Sequence, residues 1–119
     1  MSERRTEPRL LCAELVEVRR RDRTSRLIKE TMVLEDISLS GVCLQSEHQI
    51  QKGTSLAVHY GNGVLTGMVR YCMYREIGYL LGIEFTDGCK WPSNQFRPKH
   101  LLDPRTLVER AIGRQSETA

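Results

Sequence analysis

Two stretches of this chain, Arg5-Thr-Glu-Pro-Arg9 and Asp36-Ile-Ser38-Leu-Ser40-Gly41, have residue types and spacings that can hold a ligand. The first sets two arginines four positions apart, with Arg4 directly ahead of them. The second begins 27 residues after Arg9 and offers an acid, a hydroxyl and a glycine within six positions. A guanidinium is a planar, forked donor that pairs with phosphate or with the acceptor edge of a base. Carboxylate and hydroxyl are acceptors for a base's donor edge, and glycine tolerates unusual dihedrals and close approach. Such a set describes a site for a small ligand carrying both a purine and a phosphate. It does not describe a site that makes or breaks bonds.

Other chemistries find no support. Cys12, Cys43, Cys72 and Cys89 lie far apart, with no Cys-x-x-Cys pair, and zinc sites normally use paired spacings. Cys12, Cys43 and Cys72 fall in strand-like runs and read as small buried hydrophobes. His48, His59 and His100 form no cluster with them. Asp36-x-Ser38 has no histidine nearby to serve as its base, so no nucleophile is activated. Neither an enzyme nor a metal site is expected, and no cofactor.

The elements that must position these residues are strands. The chain has 119 residues, of which 39% are hydrophobic and 28% charged, as expected for one globular domain with a modest core. No apolar run approaches the ~18 residues of a membrane span. The Met-Ser-Glu-Arg-Arg start lacks a secretory h-region, so a cytoplasmic location is expected. The net charge of +3 is too small to imply nucleic-acid binding.

Residues 1–8 are polar, end at Pro8 and are expected to form a mobile arm carrying part of the ligand motif. Residues 9–115 are expected to form a single domain. Leu10 to Val18 alternates as a first strand; Arg19 to Arg23 reads as a charged turn, and Leu27 to Ile37 as a second strand. Ser40–Leu44, Leu56–Tyr60, Val64–Tyr74 and Ile77–Phe85 follow. Gly61-Asn62-Gly63 signals a hairpin with Asn62 and Gly63 at its centre. Six short strands at regular spacing predict a small antiparallel β-barrel. Asp103-Pro104, followed by an apolar stripe at Leu107, Val108, Ala111 and Ile112, predicts one C-terminal α-helix over 103–115.

Arg5-x-x-x-Arg9 followed by Asp36-x-Ser38-x-x-Gly41 resembles the two-part signature of PilZ domains, bacterial receptors for cyclic di-GMP. Gly41-Val42 and the closing Leu81-Gly82-Ile83-Glu84-Phe85 are also similar to that family, so that the resemblance runs from Arg4 to Phe85. It implies a mainly β, six-stranded PilZ-like barrel that binds cyclic di-GMP through Arg4, Arg5, Arg9, Asp36, Ser38 and Gly41. An arginine at the Arg4 position resembles the type that takes an intercalated dimer of the nucleotide. Signalling would follow from ordering of the arm for a downstream protein partner, and a homodimer is compatible with it.

Blander readings stand beside this one. Arg4, Arg5 and Arg9 make an acceptable solvated arm, and Asp36, Ser38 and Gly41 all favour turns. A PilZ-like adaptor working only through protein contacts needs no nucleotide. A small RNA- or single-strand-binding barrel would use Arg19 to Arg23, but aromatic residues for stacking are scarce.

Overall fold

The computed structural model of the protein describes residues 8–94, 96–98 and 100–105. Within them the chain forms β1 (Leu10–Arg21), β2 (Leu27–Ile37), β3 (Gly41–Ser46), β4 (Ser55–Tyr60), β5 (Gly63–Arg75) and β6 (Gly78–Phe85). These close into a barrel in the order β1-β2-β3-β6-β5-β4, with every pairing antiparallel. The mainly β barrel expected from the alternating pattern is therefore present. No helix among the described residues is long and apolar enough to cross a membrane.

Alternation drives the closure. Val16 and Val18, Met32 and Leu34, Leu56 and Val58, Leu65 and Val69, and Leu81 and Ile83 each put every second side chain inside, all 5% exposed or less. Leu44 and Ile37 complete the centre with no exposure at all.

The alternation breaks at three places, and all three lie around one patch of the outer wall. In β2, Met32 and Leu34 point inward, yet the next inward residue is Ile37. The shift comes from Glu35: Leu34 pairs with Leu44 and Asp36 with Cys43, leaving Glu35 as the extra residue of a β-bulge. On the other side of β2, the register slips between Leu11 and Glu14. In β5, Val69 pairs with Ile83 and Tyr71 with Gly82, so Arg70 is the extra residue. Each bulge reverses strand phase, which turns Asp36 and Tyr71 outward while Ile37 and Val69 stay in the core.

The C-terminal stretch ties the same end together. The amide of Phe85 donates to Ser40 O and that of Trp91 to Leu39 O, holding the loop between β2 and β3. Leu102 then exchanges both backbone bonds with Leu11. Trp91 is partly buried against the core and donates its indole N–H to Phe96 O at 2.8 Å.

Two expectations need correction. Arg19, Arg20 and Arg21 extend β1 instead of forming the turn, because Arg20 pairs across to Ile28 and carries an ion pair with Glu30 at 2.9 Å. The turn itself is Asp22–Arg26, where the Asp22 carboxylate accepts from the amides of Thr24 and Arg26. At the β4–β5 hairpin, Tyr60 pairs with Gly63, so Gly61 and Asn62 are the central residues and only Gly61 takes positive φ (44°). Most of the expected helix over 103–115, like the arm over 1–7, lies outside the described residues; the amide of Arg105 does donate to Asp103 Oδ1, as to a cap, at 3.0 Å.

Truncating Leu44, fully buried at the barrel centre, should cost about 2–5 kcal/mol as Leu44→Ala. Leu15→Ala, at a side chain 69% exposed, should stay within about 0.5 kcal/mol. Urea unfolding followed by circular dichroism measures both.

Candidate functional site

One cross-strand row traverses the outer wall where the bulges lie: Leu11 pairs with Asp36, Asp36 with Cys43, Cys43 with Gly82, and Gly82 with Tyr71. The row belongs to five strands and has its smallest residues in the middle. Cys43 and Gly82 form a floor, with Asp36 rising on one side and Tyr71 on the other. A groove of about 250 Å³ sits above it, lined also by Arg9, Ser38, Gly41, Arg70 and Glu84. Among the described motif residues, Arg9, Asp36, Ser38 and Gly41 therefore meet in one place. Arg4 and Arg5 lie outside the described residues.

Each motif residue is held by a local cause. Arg9 stands one residue ahead of β1, and its Nε lies 3.7 Å from Asp36 Oδ1. Asp36 is turned to the groove by the Glu35 bulge, with its side chain only 13% exposed. Ser38 is buried; its amide donates to Gly41 O at 2.9 Å and its hydroxyl to the same oxygen at 3.3 Å. The hydroxyl proton is thus used internally, and the oxygen's lone pairs remain as an acceptor toward the groove.

Gly41, which lines the groove, also answers to a packing constraint. A Cβ there would come 2.2 Å from the backbone oxygen of Ile83, a contact no side chain tolerates. Glycine is required for the close approach of β3 to β6.

Sequence reasoning missed Arg70, Tyr71, Cys43, Gly82 and Glu84. Arg70 and Glu84 form an ion pair across β5 and β6 at the rim, both well exposed. Tyr71 lies flat over Gly82, where any Cβ would meet its ring at 2.1 Å. Burial, and then the neighbouring Cys43 thiol, push the Tyr71 phenol above its ordinary range, so it stays protonated. Burial and the Asp36 carboxylate push the Cys43 thiol from 9.0 up to about 11. For Cys12, burial ahead of Asp36 pushes it to about 12. Neither thiol is a nucleophile at neutral pH. A strand bulge leaves no mark in residue types, and only the Gly82 in Leu81-Gly82-Ile83 signalled that something would lie close.

In chemical terms the groove has acceptors at Asp36 and Ser38, cations at Arg9 and Arg70, and a flat aromatic wall. This combination suits a planar heterocycle with a donor edge and an anionic substituent. The sequence model of the PilZ domain family matches residues 3–89, and the chain belongs to that family. Its fold is similar to the PilZ domain of YcgR from Escherichia coli, solved with c-di-GMP (15% identity, TM-score 0.57, 98% of this chain and 100% of that one). It is also similar to YcgR from Escherichia coli in complex with c-di-GMP (17% identity, TM-score 0.58), where it covers 98% of itself but half of that longer chain. At such identities the likeness is one of fold. No curated protein matches this sequence.

Two expectations follow. Gly41→Ala should destabilise the barrel by roughly 1–3 kcal/mol through forced strand separation, with thermal unfolding as the readout. The folded state holds the Cys43 proton more tightly than the unfolded chain does. Its contribution to stability is therefore complete below pH 9.0 and lost as pH rises through about 11. Cys43→Ala should flatten that part of the stability–pH curve relative to wild type.

Proposed function

We propose that this chain is a cytoplasmic receptor domain for cyclic di-GMP, with Arg9, Asp36, Ser38 and Gly41 at the site and Arg4 and Arg5 added from the arm. The observation that carries the reading is the meeting of Arg9 with Asp36 and Ser38 in one groove, from opposite ends of the β1–β2 hairpin. Membership of the PilZ family supports it, as do the solved relatives that hold c-di-GMP.

Guanine fits the groups residue by residue. Its N1–H and N2–H donors suit the Asp36 carboxylate and the Ser38 oxygen. Its O6 and N7 acceptors suit a guanidinium fork. The Arg9–Asp36 ion pair keeps both groups aimed at the groove before ligand arrives, and at 3.7 Å it is long enough to exchange for direct bonds. Tyr71 gives a base a face to stack on, and Arg70 stands where a phosphate can replace Glu84 as its partner.

The groove of about 250 Å³ is smaller than the roughly 300–1,000 Å³ pockets that enclose drug-sized ligands. A cyclic dinucleotide would protrude from it, and the arm with Arg4 and Arg5 supplies the missing wall. Binding that collects the arm is an order-forming switch whose product a downstream protein reads. The arginine at position 4 resembles the type that takes an intercalated nucleotide dimer, and that stoichiometry is part of the proposal. The adaptor alternative has less support, since the described motif side chains are all in place. A receptor role, not an enzymatic one, also fits the groove's protonated thiol and the lack of a histidine among its lining residues.

Isothermal titration with cyclic di-GMP, GTP as control, tests this. Saturable binding is expected for cyclic di-GMP only. Arg9→Ala should lose about 1–3 kcal/mol, and Ser38→Ala about 1 kcal/mol. Arg4→Leu should lower the count from a pair of nucleotides per chain to a single one. No heat from a folded protein would move the assignment to the adaptor.

A further inference from the structure

β4 closes the barrel against β5 only from Ser55, opposite Met68, to Tyr60, opposite Gly63. One more exchange, Gly53 N to Val69 O and Val69 N to Thr54 O, carries the pairing to Val69. Beyond Val69, β5 runs on to Arg75 paired to β6 alone. Among the described residues, no other backbone group bonds to that outer edge. Around it stand four apolar or aromatic side chains in the open: Tyr71, Met73, Tyr74 and Ile77, at 36%, 39%, 71% and 79% exposure. A strand edge that the described residues leave unpaired, flanked by exposed apolar groups, is a template for another strand.

We propose that a second copy of this chain docks there, the two β5 edges pairing antiparallel about a twofold axis at Met73. The charge pattern of Arg70-Tyr-Cys-Met-Tyr-Arg-Glu76 selects both partner and register. Centred on Met73, Arg70, which also pairs with Glu84 of its own chain, faces Glu76 of the second copy, the first turn residue after β5, and Tyr71 faces its Arg75. The first contact joins opposite charges, the second sets a cation against an aromatic ring, and the twofold axis makes each contact twice. Outward-facing backbone groups alternate along an edge, so the register moves in steps of two. One step sets Arg70 opposite Tyr74 and Tyr71 opposite Met73; the other sets Arg75 opposite Met73 and Glu76 opposite Cys72. Only the Met73-centred register satisfies every charge. Cys72 and Tyr74 then share the opposite face.

The pairing has a consequence at the groove. Arg70 and Tyr71 line it, so the second copy would bring Arg75 and Glu76 beside the ligand, and binding and dimerisation would each strengthen or weaken the other equally. That coupling rests on the receptor reading; the pairing itself does not, and it is tested without nucleotide.

Sedimentation equilibrium on the full chain, up to the highest concentration at which it stays in solution, gives the answer. Wild type should self-associate reversibly to a dimer. Glu76→Arg and Arg70→Glu should each weaken self-association roughly tenfold or more, since each replaces two attractive contacts by two repulsive ones. An equimolar mixture of the two variants should restore dimerisation, because the swapped charges complement each other across the axis. Met73→Lys, placing two cations at the axis, should also give monomer, with circular dichroism confirming that every variant is folded. A wild type that stays monomeric throughout overturns the proposal. So do variants that dimerise like wild type, or a mixture no stronger than its components.

Discussion

The site depends on a constraint of strand phase. In a barrel wall a residue faces either the core or the solvent, and its neighbours alternate with it. β2 must fill the core with Met32, Leu34 and Ile37 while presenting Asp36 to the outside. Strict alternation would place Asp36 in phase with Leu34, as a carboxylate in the core, where an unpaired charge is very costly. One extra residue, Glu35, resolves the conflict. Arg70 does the same for β5, turning Tyr71 out while leaving Val69 in.

Since neighbouring bulges change phase at the same level, the outward residues of successive strands stay in line. This is why Asp36, Cys43, Gly82 and Tyr71 form a single row. The row requires small residues at its centre, and steric demands enforce them: Gly82 lies under the Tyr71 ring, and Gly41 lies against Ile83 O. The loop between β2 and β3 is fixed in turn by bonds from Phe85 and Trp91. Asp36, Cys43, Tyr71 and Gly82 of the groove are thereby carried by paired strands, and Arg9 and Ser38 stand one residue outside β1 and β2. Ion pairs of Arg9 with Asp36 and of Arg70 with Glu84 hold the charges at the groove.

Much of the fold was legible in the sequence because alternation and turn residues act locally. Strands at Leu27–Ile37 and near Phe85 follow directly from that pattern, and the signature of paired arginines and Asp36-x-Ser38-x-x-Gly41 marked most of the groove. What escaped was non-local. The extension of β1 through Arg21 depends on cross-strand partners such as Glu30, which outweigh the turn-like look of consecutive charges. Arg70 and Tyr71 became site residues only through a bulge and a pairing with Gly82, neither visible in residue types. The packing demand on Gly41, set by Ile83 O across β3 and β6, is likewise invisible in the motif.

The central claim is that a guanine base sits on the row between Asp36 and Tyr71. An amide ¹H–¹⁵N correlation spectrum of the labelled protein, recorded during titration with cyclic di-GMP, tests it directly. The account predicts that the largest shifts fall on Arg9, Asp36, Ser38, Cys43, Tyr71 and Gly82, while the Gly61–Asn62 turn stays unmoved. Shifts centred on that turn, or elsewhere away from the row, would contradict it.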